Sequence, residues 1–284
     1  MTDQPFEMDV PAAEAPPGKS VEERFARRVV MTVPDRHNPK LHQVMELVNA
    51  DDDLYALWLA ANVNAMERLG MTDHGPVHVK IVMNLAVRML RLLVDAGVEP
   101  SVVRDYEMGV DDAEVVVALA SLLHDTGMSI HRADHEAFSL FVAQDKLRHV
   151  LGAIYDPRHA TLLRAEVLHA IISHRSGGKP LTLEAGVVRI ADALDMAKGR
   201  SRISVEGGSL SIHSVSAAAI EGVRLEAGKR HAISVTVSMS NSAGLFQLDQ
   251  LLREKLRGSG LERHMEIRAE LGEEEKRLLT DFTL

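Results

Sequence analysis

The apolar run Val116-Val117-Ala118-Leu119-Ala120-Ser121-Leu122-Leu123 ends in His124-Asp125, and that junction constrains the chain more than any other stretch. A run so apolar belongs in a core, where an unpaired carboxylate costs several kcal/mol. A metal ion satisfies imidazole and carboxylate together. Histidines and aspartates recur in or beside other helical stretches: His74 and His78 before this point, His131, His135, His169, His174 and Asp192 after it. Helices that carry nitrogen and oxygen donors at such intervals suggest a metal site built between them.

Composition narrows the chemistry. A chain of 284 residues, 46% of them hydrophobic, can build one large domain or a medium one with a small companion. It has no cysteine, so disulfides and thiolate metal sites are excluded and any metal must rest on nitrogen and oxygen. No apolar stretch reaches the roughly 20 residues needed to span a bilayer. Residues 1–20 lack the basic start and apolar middle of a signal peptide. A cytoplasmic protein with no membrane partner is the expectation. The net charge of -9 argues against extended nucleic acid as a partner, and 4% aromatic content argues against stacking on single strands. A small phosphorylated substrate is compatible with both, because a metal and a few arginines can reverse the field inside one cleft.

The pattern divides the chain. Residues 1–20 carry four of the ten prolines and read as a disordered tail. Residues 21–202 read as a helical domain. Leu41, Val44, Met45 and Val48 share one helix face, as do Leu54, Leu57, Trp58 and Ala61. Val77, Ile81, Leu85, Met89 and Leu92 line a longer helix beginning near Gly75-Pro76. Asp111-Asp112 suggest a cap for the helix leading to His124. Further helices are expected over 136–151, 160–173 and 183–196, the last capped by Thr182 and weakened by Gly186. Residues 203–284 read as a small α+β domain. Period-two alternation marks strands at 203–206, 211–215, 223–226, 233–237 and 265–270, with turns at Gly207-Gly208 and Gly228-Lys229. Asn241-Ser242 would cap a helix over 244–257.

His74/His78 and His131/His135 are each four apart, the spacing that projects from one helix face. Imidazole with carboxylate suits divalent iron, manganese, nickel, cobalt or zinc, and a carboxylate such as Asp125 can bridge two ions. His169 and His174, five apart, share a face poorly, so one of them is expected at the metal. His37, His42, His149, His159, His213, His231 and His264 read as ordinary core or surface residues.

The order His78, His124-Asp125, Asp192 in a helical setting resembles the HD-domain superfamily of metal-dependent phosphohydrolases. Asp73-His74-Gly75-Pro76-Val77-His78-Val79 is similar to its first motif, Leu122-Leu123-His124-Asp125-Thr126-Gly127 to its naming motif, and Ile190-Ala191-Asp192-Ala193-Leu194-Asp195 to its last. The resemblance spans roughly residues 70–200 and implies a mainly α fold with His78, His124, Asp125 and Asp192 as metal ligands. In two-metal members two further histidines hold a second ion, and His135 and His174 match them best. The cofactor implied is a pair of divalent ions, magnesium being a further candidate. The subgroup that cleaves cyclic dinucleotides carries a doubled histidine and a Gly-Tyr-Pro stretch. His174-Arg175-Ser176-Gly177-Gly178-Lys179-Pro180 has neither, and His74 stands where that subgroup can use a glutamate, which argues against that specificity.

The implied reaction is hydrolysis of a phosphate ester of a nucleotide or small metabolite by metal-activated hydroxide. Arg175, Arg200 and Arg202 are candidates to hold phosphate, the last two if the helix carrying Asp192 continues for about two turns; His74 is a candidate to touch metal or substrate. Asp195 reads as a structural partner, an arginine being one candidate for it. Two alternatives stay open: a di-iron oxygenase of the same superfamily, and a sensing or assembly protein in which the metal is structural. Strand edges in residues 203–284 suggest a homodimer.

Overall fold

The computed structural model describes residues 6–7, 20–34, 37–196, 216, 218–271 and 282–283. The helical part begins with α1 (Val21–Ala26), α2 (Pro39–Ala50) and α3 (Asp52–Asn62), the last running into a π-helical turn at Val63–Arg68. The side chains of Asn38 and Asp51 accept backbone N–H groups in the first turns of α2 and α3, satisfying donors that a helix start leaves open. Then come α4 (Pro76–Asp95), α5 (Ser101–Tyr106), α6 (Val110–Leu123), a 3-10 turn (Thr126–Ser129), α7 (His135–Ile154), α8 (Pro157–Ser173) and α9 (Leu183–Leu194).

The helix that the opening run predicted lies at the centre. From Ala113 to Leu123 every side chain of α6 is buried, with α2, α4, α8 and α9 packed around it. Each such Val or Leu contributes roughly 1.5–3 kcal/mol by leaving water. A helix apolar on all sides is stable only when surrounded in this way.

The C-terminal part, joined by Phe6–Glu7 from the segment expected to be a disordered tail, forms a five-stranded sheet in the order β1 (Phe6–Glu7), β2 (Ile220–Ala227), β3 (Ile233–Met239), β4 (Met265–Leu271), β5 (Phe282–Thr283). β2 and β3 form an antiparallel hairpin, whereas β3 and β4 run parallel, Ile233 opposite Met265. A parallel pair needs a crossover, supplied here by a helical stretch comprising a 3-10 turn (Ser242–Gly244), a π-turn (Gln247–Leu252) and α10 (Arg253–Leu256). Ile220, Val223, Leu225, Val235 and Val237 share one hydrophobic core with the helices, and β2 and β3 rest on α4. The mainly α architecture, with a small α+β part after it, agrees with the pattern in the sequence.

Several local expectations change. The N-cap of α6 is Gly109, and Asp112 lies in the first turn, accepting the Gly109 N–H at 2.9 Å. α8 starts at Pro157 because the Asp156 carboxylate caps it. The helix carrying Asp192 stops at Leu194, so it does not continue toward residues 198–202. Gly186 is a point of close approach rather than a weakness: a Cβ there would lie 2.3 Å from the Ser259 carbonyl oxygen, where the C-terminal part meets α9. Arg200, Arg202 and the strands expected at 203–206 and 211–215 lie outside the described residues. No helix among the described residues is long and apolar enough to cross a membrane.

Candidate metal centre

The end of α6 is the foundation of the site. A helix C-terminus leaves its last carbonyls without intrahelical partners, and here each acquires one. His124 Nδ1 donates to the Ser121 carbonyl (2.7 Å), Trp58 Nε1 to that of Leu122 (2.8 Å), and the Thr126 hydroxyl to that of Leu123 (2.8 Å). The Ser139 hydroxyl donates to the carbonyl of His124 at 2.6 Å and accepts the Gly127 N–H at 2.8 Å. The first turn of α7 is thereby pressed onto the His124-Asp125 corner. Only glycine permits the approach, since a Cβ on Gly127 would stand 2.0 Å from the His135 carbonyl oxygen.

Around that corner the structure brings together His78 from α4, His124 and Asp125 after α6, His135 at the start of α7, His174 after α8 and Asp192 in α9. The two oxygens of Asp125 face different neighbours. Its Oδ2 lies 3.2 Å from His78 Nε2 and 3.3 Å from His124 Nε2. Asp192 Oδ1 joins that side at 3.6 Å and 3.7 Å from the same two nitrogens. Asp125 Oδ1 lies 3.2 Å from His135 Nε2 and 3.7 Å from His174 Nε2. Three overlapping groups, each compact enough for one ion, emerge from this set: His78, His124 and Asp125; His124, His174 and Asp192; and Asp125, His135 and His174.

Hydrogen bonding fixes which ring nitrogen is available. A carboxylate or carbonyl oxygen can only accept, so the ring nitrogen beside it carries the proton. His78 Nδ1 donates to Asp195 at 2.6 Å, His124 Nδ1 to the Ser121 carbonyl, and His174 Nδ1 to the Ile171 carbonyl at 2.6 Å. In each neutral ring Nε2 is left as a lone pair. His78 Nε2 and His124 Nε2 then face each other at 3.2 Å, with two carboxylate oxygens beside them. Two ring nitrogens and two carboxylate oxygens thus converge on one buried point, where a divalent cation or, in the metal-free protein, a proton on His124 Nε2 reconciles them.

The protonation equilibria report the same demand. Burial pushes the His124 imidazole down, but the charges and hydrogen bonds of Asp125 and Asp192 prevail and carry its pKa up to about 10. Burial would raise both aspartates, yet His124, His135 and His78 hold Asp125 well below the usual carboxylate range. The Lys255 ammonium and His124 do the same for Asp192. His174 is driven well down by burial and by the positive charge of His124 and Lys255, which suits a neutral ligand. Ionised carboxylates, available Nε2 atoms and no thiolate make a donor set that fits a divalent ion such as manganese, iron, cobalt, nickel or zinc.

The remaining sequence candidates fall in different places. His74 precedes α4, because the helix starts at Pro76, so it does not share a helix face with His78. It is nonetheless buried, with its ring 5.7 Å from that of His78 and its Nδ1 2.7 Å from the Thr72 carbonyl. His131 likewise lies outside α7 and is exposed, accepting the Ala133 N–H at 3.0 Å. His169 accepts the Leu181 N–H at 2.9 Å and stands outside the three groups, leaving His174 as the member of that pair at the site. Arg175 is exposed, with its carbonyl held by Arg189. Asp195 has the structural role expected of it, and one partner it holds is His78. Lys255, which sequence reasoning missed, donates to Asp192 Oδ2 at 3.1 Å; nothing near it in sequence signals a contact with a residue 63 positions earlier.

Comparison with known proteins agrees with this geometry. The sequence model of the HD domain matches residues 77–197. Over 224 residues, 79% of this chain and 86% of the relative, the sequence is 42% identical to "Uncharacterized protein MJ1020" of Methanocaldococcus jannaschii.

Proposed function

The chain belongs to the HD-domain family, a superfamily of metal-dependent hydrolases, and from that premise we propose that it hydrolyses a phosphate ester of a nucleotide or other small phosphorylated metabolite. The observation that carries the reading is the division of Asp125, one oxygen toward His78 and His124 and the other toward His135 and His174. In this reading His78, His124, Asp125 and Asp192 would hold one divalent ion, and His135, His174 and the second oxygen of Asp125 would hold another. When bound, such ions make hydroxide available near neutral pH and offset the charge that develops on the phosphoryl oxygens.

The chain's own residues do the rest. Asp195 fixes the orientation and tautomer of His78, and the Ser121 and Ile171 carbonyls do so for His124 and His174. Asp125 and Asp192 stay ionised and can accept a cation without losing a proton, whereas His124 must shed one. His74, a further imidazole beside the ligand set, and the exposed Arg175 after His174 are proposed to meet the substrate phosphate. Arg200 and Arg202 lie outside the described residues, and the helix continuation that would have carried them to the phosphate ends at Leu194, so the proposal does not rest on them.

The test is a panel of nucleoside mono-, di- and triphosphates, sugar phosphates and a nitrophenyl phosphodiester, assayed with the metal-depleted protein reloaded with manganese, cobalt, nickel, iron or zinc. Phosphate or phosphomonoester release that depends on metal, and is lost in Asp125→Ala, supports the proposal. Metal-dependent oxygen consumption without ester cleavage would overturn it.

A further inference from the structure

We propose that Lys255, contributed by the C-terminal part beyond the HD-domain match, is a positioning residue of the metal centre: it occupies the outer oxygen of Asp192, so that this carboxylate offers a metal one oxygen only. The inference rests on the metal centre and not on the identity of the ester. Asp192 has two oxygens with different surroundings. Oδ1 faces the Nε2 atoms of His78 and His124, while Oδ2 is 3.1 Å from the Lys255 ammonium. The same ammonium donates to the His174 carbonyl. One cation thus braces Asp192 on one side of the site and the backbone of His174 on the other.

Lys255 is itself held. Its backbone carbonyl accepts Nε of Arg189 at 2.8 Å. Arg189 is 1% exposed and also donates to the carbonyls of Ser173 (3.2 Å) and Arg175. The guanidinium therefore ties α10 to the end of α8, on either side of His174. A few residues on, the Ser259 carbonyl lies against Gly186 of α9, where no side chain fits. The Lys255 side chain is only 20% exposed. A surface ion pair formed by chance would have none of this scaffolding and would be worth little.

The consequence is chemical. A carboxylate that closes over an ion with both oxygens takes up a coordination position, whereas one held by a lysine on its second oxygen leaves that position for water or substrate. A catalytic centre needs such an opening.

Cobalt reports it directly, because visible absorption of divalent cobalt weakens as coordination number rises. The full-length protein, Lys255→Met and Lys255→Arg are each stripped of metal, titrated with Co2+, and followed by absorption and by thermal melting of the metal-free form. The expected result is loss of visible intensity per bound cobalt in Lys255→Met, with the wild-type spectrum retained in Lys255→Arg. Lys255→Gln, which keeps an N–H for the His174 carbonyl, gives the same reading if the Met variant does not fold. A Lys255→Met or Lys255→Gln spectrum that superimposes on wild type would overturn the role of Lys255 while leaving the metal centre standing. Failure of wild-type protein to take up cobalt would overturn the centre and this proposal with it.

Discussion

The two sides of Asp125 are built from the same residue types but are not equally secured. On the Oδ2 side, His78 is locked by Asp195 and His124 by its own helix's last turn, and both rings are fully buried. On the Oδ1 side, His174 is locked in the same way, but His135 is not. Its Nδ1 has the Arg132 carbonyl at 3.1 Å, the Glu136 carboxylate at 3.2 Å and the Arg132 guanidinium at 2.8 Å, so acceptors and a donor compete for one atom. The segment that leads into it, from Ile130 to Asp134, is exposed. The lesson is that ligand identity sets what an ion can bind, while the partners behind each ligand set how firmly. Of the two ions in the proposed centre, the one at His78 and His124 should be the tighter.

The largest expected effect comes from the shared residue. Asp125→Ala should abolish binding on both sides, a loss beyond the 10–100-fold typical of removing a partner behind a ligand, with helical circular dichroism retained. Retention of a tight ion would break the account of Asp125 as the common ligand. Asp195→Ala leaves every ligand in place but takes the acceptor from His78. Chelator competition should show affinity on the Oδ2 side reduced about 10–100-fold, with the weaker ion unaffected. Equal weakening of both ions would erase the distinction between the two sides.

Gly127→Ala acts on the other side. Its Cβ would collide with the first turn of α7, so urea unfolding should show a loss of about 1–3 kcal/mol, and metal analysis a selective loss of the His135-side ion. Acidity gives a smaller, graded effect. In the metal-free protein His124 stays protonated up to about 10, and a ligand must shed that proton. Affinity on its side should therefore rise with pH by up to about tenfold per unit from pH 7 to 9, and level off above about 10. Isothermal titration in buffers of different ionisation enthalpy would count the proton released; none released would exclude His124 as a ligand. The stability that His124 lends the metal-free fold is complete below its unfolded pKa and lost as pH rises through about 10. The metal-free melting temperature should drop over that window.

Much of this was legible because it is local. The apolar stripe of α4, the apolar second half of α6 and the period-two pattern of β2, β3 and β4 are local signals, although β3 buries Ser234 and Thr236 as well as its apolar residues, and the His124-Asp125 junction announces its own burial. Features that depend on contacts between distant segments were not legible. Asp195 read as structural, but nothing in the sequence shows that His78, from α4, lands beside it. Gly186 looked like a helix weakness until Ser259 arrived against it, and Gly127 carries no local sign that α7 needs its missing Cβ. The π-turns at Val63–Arg68 and Gln247–Leu252 leave the apolar pattern almost unchanged. Lys255 belongs with these, being one cation among many until the C-terminal part folds onto α9.

The most direct test of the central claim, that Asp125 joins two metal positions, is elemental analysis of protein reloaded with manganese or cobalt, comparing wild type with His135→Ala. Close to two ions per chain in the wild type, falling to one in the variant with the tighter affinity unchanged, is the predicted result. A single ion in both proteins would contradict it, leaving a mononuclear site in which the second oxygen of Asp125 binds no metal.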